Sequence, residues 1–160
     1  MLDPRDAPEA VRAAAEPLEE LLDDNNHVTS VDLHDPVPVA GLTDDQLAQA
    51  VYDAGPSGFR VGPVGWFEGA GEWREAFRRA VLKGFMQPAV RYSDPGCRTP
   101  EELRRTGELA DGIADLIEAH LGPVRRCGDV GAPPTGEIGW RCLLLVTEEW
   151  ATILYLAVHD

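Results

Sequence analysis

From about Ile138 to Val158 the chain is almost continuously apolar, and the pair Glu148-Glu149 divides it into two runs of similar length. Folding the runs back about that pair predicts an antiparallel β-hairpin with a defined register. Val146 then opposes Ala151, Leu145 opposes Thr152, Leu144 opposes Ile153, Leu143 opposes Leu154 and Cys142 opposes Tyr155. Successive residues of a strand point to opposite faces, so both faces of this hairpin are apolar. A sheet with one face in water would not carry that pattern, which predicts a place near the middle of a small sheet with helices over it. The tip lacks Asn-Gly or a glycine, so a loop of four or more residues competes with a two-residue turn.

Upstream, the hydrophobic period is mostly that of helices. Val11, Ala14, Ala15, Leu18, Leu21 and Leu22 recur at helical spacing between Asp6 and Asp24. Pro17 removes one backbone hydrogen bond there and predicts a kink or a division into two helices. His27 to Leu33 alternates, with Thr29, Val31 and Leu33 on one face, as in a short strand. Pro36 and Pro38 exclude the following residues from a central strand. Thr43 and Gln46 have the spacing of a capping box, ahead of a helix striped by Leu47, Ala50, Val51 and Ala54 and stopped by Gly55-Pro56. Phe59 to Val64 suits a second short strand.

Trp73, Phe77, Ala80, Val81 and Phe85 stripe a helix from about Glu72 to Phe85. Thr99-Pro100 with Glu102 marks the start of a longer one, with Leu103, Ala110, Ile113, Ala114, Ile117 and Leu121 as its stripe and Gly122-Pro123 as its end. Gly107 and Gly112 inside it each lower helix propensity by about 1 kcal/mol, which predicts close approach of a neighbouring element. A last strand is expected between Val124 and Val130. The fold class is therefore α+β, a small antiparallel sheet centred on the C-terminal β-hairpin and packed against three to four helices, in one domain over residues 1–160.

Composition narrows the class. Hydrophobic residues at 44% and charged residues at 26% are the proportions of a globular domain. No run reaches the ~18 consecutive apolar residues that span a bilayer. Met1-Leu2-Asp3-Pro4-Arg5-Asp6 lacks the basic and apolar regions of a secretion signal, so a cytoplasmic protein is expected. Cys97, Cys127 and Cys142 are odd in number and have no paired spacing, which predicts reduced thiols.

Net charge is −14, and it is uneven: residues 1–60 hold 13 acids against Arg5, Arg12 and Arg60, whereas residues 61–160 hold 15 acids and 11 bases. This asymmetry argues against nucleic acid or an anionic membrane as partner and toward a basic protein. The leading expectation is a small acidic protein-interaction module, of the inhibitor or immunity type, that caps a basic partner. Glu19, Glu20, Asp23, Asp24, Asp44 and Asp45 supply its field.

The rival expectation is a small-molecule-binding protein or small enzyme with a pocket near Trp66–Glu75 and the sheet, lined by Trp66, Glu68, Trp73 and Arg74. Other chemistry is weakly signalled. The glycines from Gly55 to Gly71 lack the Lys-Ser/Thr pair of a phosphate loop. Asp32 and His34 would share a strand face near Asp35, yet no metal-specific spacing is present, and no cofactor is expected. Ser57 is not in a nucleophile elbow, Cys142 reads as core, and Cys97 beside Arg98 is the most reactive thiol candidate; no catalytic residue is assigned. Arg74, Arg78, Arg79 and Lys83 on the third helix either bind an anionic group or, more simply, pair with the acidic N-terminal third.

Overall fold

The computed structural model describes residues 2–23, 28–55, 60–83, 99–131 and 139–159. A short 3-10 turn (Pro4–Asp6) leads into α1 (Ala7–Leu22), followed by β1 (Val28–Leu33) and the two-residue β2 (Val37–Pro38). Then come α2 (Asp44–Ala54), β3 (Val64–Trp66), α3 (Glu72–Lys83) and α4 (Pro100–Leu121). β4 (Arg126–Val130), β5 (Gly139–Val146) and β6 (Trp150–His159) complete the described elements. All strands pair antiparallel in the order β1-β6-β5-β4-β3, with β2 beside the start of β6. The fold is α+β.

The hairpin register is the one its apolar pattern predicts, from Cys142 opposite Tyr155 to Val146 opposite Ala151. Glu148 and Glu149 form a tight tip, closed by Thr147, whose Oγ1 accepts the Trp150 N–H at 3.0 Å. Leu143, Leu145, Leu154 and Leu156 face the side covered by α1, α3 and α4; Leu144, Val146, Ala151 and Ile153 face α2. Leu143, Leu144, Leu145, Ile153, Leu154 and Leu156 are all fully buried. Each such side chain contributes roughly 1.5–3 kcal/mol of transfer free energy, so β5 and β6 dominate the core.

Several expectations change in the folded molecule. α1 runs unbroken through Pro17 and does not divide. The carbonyl that Pro17 leaves without a donor is that of Ala13, an exposed position open to water, while Ala7, Val11, Ala15, Leu18 and Leu22 hold the helix on the core. α2 starts at the predicted box, with the Gln46 side chain accepting the Thr43 N–H at 3.0 Å. Its buried stripe is Leu47, Ala48, Val51 and Tyr52, however, so the helix is turned from the predicted Ala50 and Ala54 toward Ala48 and Tyr52. The Tyr52 hydroxyl donates to Cys142 Sγ at 3.3 Å, a buried contact 90 residues away in sequence.

The second short strand lies at Val64–Trp66, beginning where the predicted one was to end; Phe59 is outside the described residues. Gly107 is tightly packed, since a Cβ there would lie 2.8 Å from Arg78 Nη2, but Gly112 has open space around it. Among the described residues the α3 arginines pair with α4 and within α3, and none pairs with the N-terminal third. Arg74 reaches Asp115 and Glu118 at 2.7 Å, Arg78 reaches Asp111 at 2.5 Å, and Arg79 reaches Glu75 at 2.8 Å. Among the described residues no helix is long and apolar enough to cross a membrane.

Candidate functional site

The sheet separates the four residues of the expected Trp66–Glu75 pocket. Trp73 opens the buried stripe of α3 and is 1% exposed in the core beneath α1 and α4. Arg74, next to it, is bound to Asp115 and Glu118 of α4. Trp66 pairs with Gly128 in β4 and lies on the opposite, α2-facing side, 37% exposed. Glu68 is exposed in the turn before α3. These four do not line one cavity.

Trp66 instead borders a groove of about 490 Å³ between the N-terminal half of α2 and β3. Its walls are Asp44, Asp45, Ala48 and Gln49 on one side and Val61, Gly62, Pro63, Val64 and Trp66 on the other. The local sequence explains the shape. The chain before β3 is held to α2 by the Gln49 side-chain carbonyl, which accepts the Val61 N–H at 2.9 Å, and to β4 by Gly62, whose N–H donates to the Gly131 carbonyl at 2.7 Å. Gly62 is required there, because a Cβ would sit 2.3 Å from that carbonyl oxygen. Gly128 lets β3 close on β4: a Cβ would stand 2.8 Å from both the Gly65 oxygen and Val64 Cγ1.

A guanidinium bridges two of the lining residues. Arg126 stacks over the Trp66 ring with its central carbon 4.8 Å from the centroid, and donates to Asp44 Oδ1 at 2.7 Å. That hydrogen bond holds the Asp44 carboxyl below the usual carboxylate range. Asp45, one residue on, is exposed and has no ion pair among the described residues. The groove thus combines an aromatic face, carboxylates and a sheet edge.

The remaining acids singled out in the sequence serve the fold in part. Glu19 and Asp23 reach from α1 to the outer edge of β1, where Glu19 accepts the Val31 N–H at 2.9 Å and Asp23 accepts the Thr29 N–H at 2.7 Å. Glu19 also binds Arg12, which continues to Asp32 at 2.7 Å. Glu20 is exposed, and Asp24 is outside the described residues.

A second polar cluster lies under α2, where His34, considered above beside Asp32 as a metal ligand, meets two tyrosines instead. The half-buried His34 ring meets Tyr52 edge-on at 5.1 Å between centroids and Tyr155 at 6.4 Å. Burial lowers the His34 pKa and raises that of Tyr52. Gln49, Arg126 and Tyr52 carry no local motif; Asp44 and Arg126 are 82 residues apart, so only tertiary structure joins them.

Among the described residues no group of three His, Cys, Asp or Glu side chains could hold a metal ion. Cys127 is a buried free thiol with Sγ 3.6 Å from the Gly69 carbonyl oxygen. Burial pushes its pKa up against a hydrogen bond from the Trp73 backbone that pulls it down, so it is a poor nucleophile at neutral pH. Cys142 is core, and Ser57 and Cys97 lie outside the described residues. Comparison with protein-family models, curated proteins and solved structures finds no match to this chain.

Proposed function

We propose that this protein is a small acidic interaction module that acts in the cytoplasm and caps a basic protein partner, in the manner of an inhibitor or immunity protein. The division of charge carries this reading. Nine arginines of the described residues, from Arg5 to Arg141, lie in ion pairs with carboxylates of the same chain. Glu9, Glu16, Glu20 and Asp45 are exposed and belong to no ion pair among the described residues. With most of the bases paired to carboxylates of the same chain, the net charge of −14 is expressed as unpaired acids at the surface and attracts a cationic partner while repelling phosphate backbones. Affinity capture from the native organism at low salt should retain a stoichiometric basic protein that high salt releases. Converting Glu9, Glu16, Glu20 and Asp45 to their amides should slow its association roughly tenfold. Capture that ignores both salt and neutralisation would overturn the reading.

The groove volume of about 490 Å³ favours a second reading, a small-molecule binder with Trp66 at the rim. Its mark would be ligand-induced thermal stabilisation, lost in Trp66→Ala, in a protein that captures no partner.

A further inference from the structure

The two edges of the sheet are treated differently. At the β1 edge, Asp23 and Glu19 take the outward N–H groups of Thr29 and Val31. At the β3 edge nothing comparable is present among the described residues. The Phe67 N–H donates to the Cys127 carbonyl at 2.9 Å, so by antiparallel alternation the N–H and C=O groups of Val64 and Trp66 point away from β4. An exposed strand edge is a template for another chain, and folded proteins cover such edges unless they use them. Here the open edge also forms a wall of the groove.

We propose that the β3 edge is where the basic partner docks, by adding an extended segment as a further antiparallel or parallel strand beside Val64–Trp66. This rests on the reading above that the partner is basic. Main-chain bonds to Val64 and Trp66 supply registration, and alternate side chains of the added strand fall into the groove. Arg126 is a template for what fits, a guanidinium held between an indole face and a carboxylate. Asp45 offers the second carboxylate. Arg126 offsets Asp44 locally, so Asp45 and the field of the whole molecule bring the segment in and the edge holds it.

The test uses the full chain and three synthetic eight-residue peptides. One alternates arginine and valine, one is the same peptide N-methylated at alternate residues, and one alternates glutamate and valine. Expected results are amide shifts centred on Val64 and Trp66, slowed hydrogen exchange at those two amides, and binding by the arginine peptide at least tenfold tighter than by either of the others. Asp45→Arg should weaken the arginine peptide several-fold. Arginine-peptide shifts centred on α1, with N-methylation without effect, would overturn the edge site and leave the acidic capping reading standing. Glutamate-peptide binding at Val64–Trp66 equal to that of the arginine peptide would overturn the basic occupant. Failure of every peptide, together with salt-insensitive partner capture, would remove both.

Discussion

Gly128 and Gly112 should respond in opposite ways to the same substitution, because one is enclosed by backbone and the other is not. A Cβ on Gly128 meets the Gly65 oxygen at 2.8 Å and Trp66 Cα at 3.1 Å, and this backbone cannot give way without β3 moving. Gly128→Ala should cost about 1–3 kcal/mol through that overpacking. Gly112 is exposed in mid-helix, and an added methyl group would meet nothing within 4 Å. Gly112→Ala should therefore gain about 0.4–1 kcal/mol by restricting the unfolded chain. Urea unfolding midpoints of the two variants check both signs. His34 provides a pH test. Its folded-state pKa is lowered from 6.5 by burial, with Asp32 and Asp35 opposing the shift. On acidification the unfolded chain therefore takes up this proton first. Its stability contribution is complete above about pH 6.5 and is lost as pH falls toward and through the folded-state value. His34→Phe should flatten the unfolding free energy between about pH 7 and 5. Asp3 and Asp44, held down by Arg5 and Arg126, act at lower pH.

Among the elements, α1 does two tasks, one of them hidden from its sequence. Its buried stripe covers the sheet, and its polar rim closes the β1 edge through Glu19 and Asp23. Asp23→Ala leaves the N–H of the buried Thr29 without its acceptor, which should cost about 1–3 kcal/mol. Faster hydrogen exchange at Thr29, with the Val31 amide still protected by Glu19, would locate the effect at this edge. The stripes of α3 and α4 were legible because Trp73, Phe77, Ile113 and Ile117 leave one rotation that buries them all. α2 was not, since Ala50 and Ala54 keep the same spacing as Ala48 and Tyr52. The contact of Tyr52 with Cys142 selects the second pair.

Across the molecule as a whole, β6 is the hub: it pairs with β1, β2 and β5 and contributes to both core layers. Deleting Ala151–Asp160 should abolish folding, seen as loss of a cooperative thermal transition; a truncated chain that still melts cooperatively would refute this role. The α3–α4 ion pairs are largely exposed, and such pairs contribute about 0–1 kcal/mol each, so their main effect is on the external field. By consuming basic charge they leave the acids of α1 and Asp45 to dominate what a partner meets.

The α+β class, the helix starts at Thr43 and Thr99, and the hairpin register were all readable from residue order, because periodicity and capping are local properties. So was the net charge of −14, which does not depend on folding. Three other facts emerged only from the packed chain. Trp66 and Trp73 lie on opposite faces of the sheet, Arg126 joins Asp44 and Trp66, and carboxylates of α1 and its C-cap take the outward N–H groups of β1, with no counterpart at β3 among the described residues. These depend on which distant segments pack together. A spacing pattern within one segment carries no information about the partner it will meet.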